Sequence, residues 1–180
     1  MRTYPTDHVR NVVLVGHQGS GKTTLAEAML YAAGAIPRMG RVEDGNTVMD
    51  LDPDEVERQA SISLSLASFE QHGYKVNLLD APGYADFFGD TEAAMHAADC
   101  AIICVSAVDG VQVQTRAAWD IAERLNLPRV IVVTKCDRER ADFARVATQL
   151  KETFGRKLVA AQLPIGMEAE FTGIIDLLDE

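Results

Sequence analysis

The residues Gly16-His17-Gln18-Gly19-Ser20-Gly21-Lys22-Thr23 have the form G-x-x-x-x-G-K-[ST]. They follow an apolar run, Asn11–Val15, and open a stretch of helical spacing, the context in which this pattern is a phosphate-binding loop rather than a chance Gly-rich turn. Glycines at these spacings let backbone N–H groups wrap the α- and β-phosphates of a nucleotide, helped by the helix N-terminus behind them. Lys22 is expected to reach the β- and γ-phosphates and the Thr23 hydroxyl to bind Mg²⁺.

Two further elements could complete such a site. Leu78-Leu79-Asp80-Ala81-Pro82-Gly83 places an Asp-x-x-Gly after an apolar strand and well downstream of Lys22. Asp80 there would hold Mg²⁺ through water, and the Gly83 N–H would sense the γ-phosphate. Alone the tetrapeptide is an ordinary turn; the phosphate loop upstream gives it meaning. Thr134-Lys135-Cys136-Asp137 follows the apolar run Val130–Val133. A carboxylate at Asp137 can accept both N1–H and N2–H of guanine, a donor pair that adenine lacks, with Lys135 lying along the base. Asp137 could equally cap a helix beginning near Arg138.

Elements that could position these groups alternate between strand and helix. Asn11–Val15, Cys100–Val105 and Val130–Val133 are continuous apolar runs and predict buried strands. Leu25, Ala26, Met29, Leu30 and Ala33 predict a helix ending at Gly34. Val113, Ala117, Ile121 and Leu125 predict another, and Phe143, Val146, Ala147, Leu150 and Phe154 a third. Ile62, Leu64 and Leu66 alternate with serines and predict a half-buried edge strand. Gln71-His72-Gly73 then turns into the strand Tyr74–Leu79. Lys157–Leu163 predicts a last strand, and Phe171–Leu178 a short β segment or turn. From Gly34 to Ala60 no periodicity is visible, and the acidic stretch Glu43–Glu57 predicts either a solvated loop or a switch that orders on γ-phosphate and Mg²⁺. Alternating β and α units point to a mostly parallel sheet with helices on both faces.

Composition narrows the classes. The chain has 180 residues with 17 Lys and Arg against 27 Asp and Glu, a formal net charge of −10, which argues against a sequence-specific nucleic-acid binder driven by phosphate neutralisation. No apolar run reaches the roughly 20 residues of a membrane span, and the N-terminus lacks the apolar core of a signal peptide. Cys100 and Cys104, about 13 Å apart on a strand at ~3.3 Å per residue, cannot bridge each other. These features predict a reduced, cytoplasmic protein with no membrane partner. His8, His17, His72 and His96 show no metal-ligand spacing. Trp119 and Cys136 read as packing residues.

Taken in order, these motifs resemble those of the translational GTPases, and of elongation factor G in particular. The resemblance rests on Gly16-His17-x-x-x-Gly21-Lys22-Thr23-Thr24, on Asp80-x-Pro82-Gly83-x-x-Asp86-Phe87 and on Lys135-x-Asp137. It is extended by Arg58-x-x-Ser61-Ile62, Gly110-Val111-Gln112, and Pro164-Ile165-Gly166 running into Phe171-Thr172-Gly173-Ile174-Ile175-Asp176-Leu177. It implies a P-loop NTPase G domain of α/β class with one antiparallel edge hairpin. It also implies GTP and GDP binding with Mg²⁺ held by Thr23, Ser61 and Asp80, and GTP hydrolysis in a ribosome-linked cycle. The resemblance divides the chain into an incomplete GTP-binding domain over 1–163 and the start of an insertion subdomain over 164–180, with the family's guanine-contacting Ser-Ala loop and later domains lying beyond.

Four positions depart from the family pattern. Tyr84 stands where the family carries a water-orienting His, so the residue at the family's catalytic position is a phenol, longer than an imidazole and unable to carry its positive charge. Thr134 replaces an Asn, Gly19 replaces an Asp, and Arg58-Gln59-Ala60-Ser61-Ile62 replaces Arg-Gly-Ile-Thr-Ile. Ser61 keeps a hydroxyl for Mg²⁺, whereas Thr134 lacks an amide's paired donor and acceptor and is expected to weaken base affinity. The departures mark a divergent paralogue and leave two expectations, a GTPase triggered by the ribosome or a non-hydrolytic guanine-nucleotide switch that docks on it; a P-loop ATPase or kinase has Asp137 and the long acidic connection against it.

Overall fold

The computed structural model describes residues 3–155 and 158–178. Strand β1, Val9–Gly16, lies at the centre of a five-stranded sheet of order β2-β3-β1-β4-β5. Its valines and Leu14 are apolar at consecutive positions because both faces of the strand are covered. Strands β3 (Tyr74–Asp80) and β4 (Cys100–Ser106) flank it in parallel, and β5 (Arg129–Thr134) runs parallel outside β4. Strand β2, Ser65–Gln71, pairs antiparallel with β3 across a turn in which His72 and Gly73 have φ of 48° and 83°. Two positive φ values are what a tight two-residue hairpin demands.

Five α-helices accompany the sheet: α1 (Lys22–Ala32), α2 (Pro53–Arg58), α3 (Phe88–Ala97), α4 (Val113–Arg124) and α5 (Phe143–Phe154). Helix α1 covers one face, where Ala26 and Leu30 meet Leu14, Leu78 and Cys104. Helices α3, α4 and α5 cover the other, where Met95, Ala118, Ile121, Val146 and Leu150 meet Val13, Val15 and Ile103. The registers Leu14↔Asp80, Gly16↔Cys104 and Ser106↔Thr134 bring the C-terminal ends of four strands to one edge of the sheet. Ligands of open α/β sheets bind at that edge.

The connection from residue 34 to 60 is more ordered than its lack of periodicity suggests. Glu27, fully buried on α1, accepts the Gly40 and Val48 N–H groups at 2.9 and 2.6 Å. Asp52 caps α2 by accepting from the Asp54 N–H, and Glu55 accepts from the Asp52 N–H in return. Glu55 also accepts the Ile62 and Ser63 N–H groups, each at 3.0 Å. Two buried carboxylates thus do for this segment what a β-ladder does elsewhere.

Other expectations shift. The strand expected from Ser61 starts at Ser65, and Ala67 and Phe69, not Leu64 and Leu66, face the core; the hairpin register Leu66↔Leu79 and Gln71↔Tyr74 decides the phase. On α4 the buried residues are Thr115, Ala118, Ile121 and Ala122, while Val113 lies exposed at the first helical position. Helix α3 was not anticipated, because its inward residues Thr91, Ala94 and Met95 make no apolar stripe. Residues 158–161 are not a strand, and Lys157 lies outside the described residues; β6 is Gln162–Ile165 and pairs with β7, Gly173–Asp176, in a separate two-stranded sheet. That hairpin is tied to the turn after β5 through Glu168, whose N–H donates to Cys136 O and whose carboxylate accepts from the Arg140 N–H. Among the described residues no helix is long and apolar enough to cross a membrane.

Candidate functional site

β1 ends at Gly16, where the chain must turn against β4. A Cβ there would lie 2.4 Å from Cys104 O, and its φ of 145° lies in the region that disfavours side chains, so the close approach requires glycine. The loop that follows closes on itself through Ser20 N–H to His17 O, at 3.1 Å, and opens α1 at Lys22. Lys22 is buried and its Nζ donates to His17 O at 3.1 Å. Burial lowers its pKa, opposed by the charges of Asp80, Cys104 and Asp50.

A cluster of oxygens sits at the first turn of α1. Thr23 Oγ1 donates to Asp80 Oδ2 at 2.6 Å and lies 3.1 Å from Ser61 Oγ, which donates to Asp50 Oδ1 at 2.7 Å. Burial pushes the Asp80 carboxyl up to about 6, against the pull of the Lys22 ammonium and the Thr23 hydroxyl. Burial raises Asp50 as well, opposed by the Ser61 hydroxyl. Asp80 Oδ1 and Asp50 Oδ2 are buried without a hydrogen-bond partner. Two hydroxyls and two carboxylates with orphaned oxygens are a hard, oxygen-only donor set, which fits Mg²⁺. Among the described residues no three His, Cys, Asp or Glu side chains gather as a metal cage, so a cation here would draw its remaining ligands from phosphate and water.

Gly83 meets the phosphate loop from the other side. A Cβ on it would lie 2.6 Å from both Gln18 N and Lys22 Nζ, so no other residue fits without displacing one of them. The next side chain, Tyr84, has its phenol oxygen 2.5 Å from Gln18 Nε2, which donates to it. Thr134, at the end of β5, lies beneath the loop and donates to Ser20 O at 2.7 Å.

These groups surround a cavity of about 180 Å³, lined by Gln18, Gly19, Gly21, Lys22, Thr23, Thr24, Ser61, Gly83, Tyr84 and Lys135 from the sequence reading. It is smaller than the ~300 Å³ at the low end of ligand pockets, a size for the phosphate end of a nucleotide rather than the whole of one. His17 and Ser20 line the other side of the loop, and His17 Nδ1 pairs with Gln114 Oε1 on α4. Asp137 is exposed beyond Lys135 and carries no side-chain hydrogen bond among the described residues. The alternative of a helix cap at Asp137 is corrected: residues 136–140 form a turn, and α5 is capped by Asp142, which accepts the Arg145 N–H at 2.9 Å.

Asp50 carries no local signal in its acidic stretch, and the side-chain partner of Gln18 in the phosphate loop comes from a distant segment. Val42, Glu43, Gln59 and Ala60 also line the cavity. A phosphate loop between β1 and α1, with an acidic residue at the end of the neighbouring parallel strand, defines a P-loop NTPase. The mostly parallel sheet with one antiparallel edge hairpin makes it a G domain.

The chain belongs to the elongation factor Tu GTP binding domain family, which it matches over residues 7–175. It is 44% identical over 172 residues to an elongation factor G-like protein of Mycobacterium tuberculosis, covering 96% of this chain and 23% of that protein. It is 38% identical over 178 residues to elongation factor G 2 of Geobacter metallireducens, covering 99% of this chain and 26% of that protein. A solved structure from Thermus thermophilus superposes with a TM-score of 0.88 at 46% identity, covering 94% of this chain and 25% of its own. The chain therefore spans about a quarter of the length of these relatives.

Proposed function

We propose that this chain is the nucleotide-binding part of an elongation-factor-G-like translation factor that binds GTP and GDP with Mg²⁺ and hydrolyses GTP in a ribosome-linked cycle in the cytoplasm. The observation that carries the reading is the convergence of Lys22 Nζ, Gly83 and the Thr23–Asp80–Ser61–Asp50 oxygens on one small cavity. Loop N–H groups and Lys22 would bind the phosphates, and Thr23 and Ser61 would hold Mg²⁺ with Asp80 behind them. Bound there, Mg²⁺ would neutralise charge on the β- and γ-phosphates. Lys135 would lie along the base and Asp137 would accept from its N1–H and N2–H. The hairpin of β6 and β7 belongs in this reading to the start of an insertion subdomain, which the resemblance puts at residue 164, within β6; its support is that among the described residues the two strands pair with each other and not with the five-stranded sheet.

A second reading, a guanine-nucleotide switch that docks on the ribosome without hydrolysis, has Tyr84 in its favour: its side chain lines the cavity with Gly83 and Lys22 and lacks the imidazole of the family pattern. Single-turnover GTP hydrolysis by the full-length protein, with and without ribosomes, decides between them. Ribosome-stimulated release of phosphate supports the first reading. Tight GTP binding with no release under either condition supports the second.

A further inference from the structure

Resting on the guanine-nucleotide reading, we infer that the side-chain amide of Gln18, held by the phenol of Tyr84, is the group that orients the water attacking the γ-phosphate at this site. Three observations meet here. Gln18 and Tyr84 both line the phosphate cavity. A Cβ on Gly83 would lie 2.6 Å from both the Gln18 backbone N and Lys22 Nζ, so the backbone that carries the pair flanks the ammonium that would take the terminal phosphate. At the exposed mouth of the cavity Gln18 Nε2 donates to the Tyr84 oxygen at 2.5 Å, which leaves Gln18 Oε1 without a partner among the described residues and the phenol hydrogen free to donate.

A carboxamide with one donor committed and its oxygen open can accept from a water and fix its direction; it need not take a proton to do so. The Tyr84 ring stands edge-on to Phe87, with centroids 6.3 Å apart at 90°, which holds the phenol in place. Tyr84 is then a positioning residue and Gln18 the group that touches the water. In the step itself the water oxygen bonds to the γ-phosphorus and the bond from that phosphorus to the β–γ bridging oxygen breaks. The electron pair stays on the bridging oxygen of GDP. One water proton passes to an oxygen of the departing phosphoryl group, giving dihydrogen phosphate. Gln18 remains neutral throughout. This assigns to a side chain of the phosphate loop the work for which Tyr84 alone is unsuited.

The test is intrinsic single-turnover hydrolysis of γ-labelled GTP by this chain with Mg²⁺, alongside GDP affinity by calorimetry, for wild type, Gln18→Leu, Tyr84→Phe and the double variant. Rates are compared at GTP saturation, set for each variant from its own affinity, so that any change in binding does not enter them. Hydrolysis should fall by at least tenfold in Gln18→Leu and by a smaller factor in Tyr84→Phe. The double variant should be no slower than Gln18→Leu, since the phenol acts only through the amide. Independent, multiplying losses would overturn the inference, as would a Gln18→Leu rate within twofold of wild type. Wild-type chain that binds GTP but never turns it over would overturn it too. Absence of GDP binding by wild type would instead refute the nucleotide-site reading on which the inference rests.

Discussion

Thr134 Oγ1 donates a 2.7 Å hydrogen bond to Ser20 O, joining the end of β5 to a phosphate loop 114 residues earlier in the chain. The same hydroxyl lies 3.3 Å from Val105 O, so one side chain bridges the loop and two adjacent strands. Thr134→Val keeps the shape and removes the donor. A neutral hydrogen bond contributes about 0.5–1.5 kcal/mol net, so GDP affinity should fall between about twofold and tenfold, read by calorimetry. Unchanged affinity would mean that the loop holds its shape without this brace.

Lys22→Ala should abolish nucleotide binding. The ammonium is buried at the cavity, and loss of such a charge-assisted contact to phosphate costs roughly 2–5 kcal/mol. Calorimetry with GDP checks it, and near-wild-type affinity would remove the phosphate role from this loop.

Asp137→Asn should move base preference from guanine towards xanthine, because an amide donates to the xanthine oxygen where the carboxylate accepts from guanine's amino group. The mismatch with guanine should cost a few kcal/mol. Competition between GDP and xanthosine diphosphate measures the shift, and retained guanine preference would leave Asp137 outside the base site.

Glu27→Ala should loosen the 34–60 connection. It leaves the buried Gly40 N–H without its acceptor, at a cost of about 1–3 kcal/mol, and frees the part-buried Val48 N–H to water at less. Urea denaturation should show a lower midpoint, and amide exchange should quicken at Gly40 and Val48 ahead of the β-sheet.

Cys104 should resist alkylation in the folded chain. It is fully buried and burial pushes its thiol up to about 12, so at pH 8 the reactive thiolate is a trace species that grows only as pH rises towards that value. Iodoacetamide at pH 8, followed by mass spectrometry, should label Cys104 only after denaturation.

What could be read in the sequence is what lies close together along it. Gly16 to Thr23 is one contiguous loop whose chemistry depends on its own backbone, and β1, β4 and β5 are unbroken apolar runs because both their faces are covered. Helix α2 was legible in principle: Asp52-Pro53-x-Glu55 is a capping box with proline at the first helical position, though the surrounding acids masked it. The phase of β2 was not, since it follows from a hairpin register rather than from the alternation of Ile62, Leu64 and Leu66. The pairings Gln18–Tyr84 and Ser61–Asp50 join residues 66 and 11 apart through tertiary contact, and no local pattern announces them.

A site that takes guanine nucleotides through their phosphates and base together must separate GDP from ADP. Calorimetric titration of this chain with GDP and with ADP, at equal Mg²⁺, tests it most directly. GDP should bind at least ~100-fold more tightly than ADP, as expected where the N1–H and N2–H pair of guanine meets the Asp137 carboxylate, and Lys22→Ala should remove the GDP signal. Equal affinities for the two nucleotides, or no binding of GDP, would contradict it.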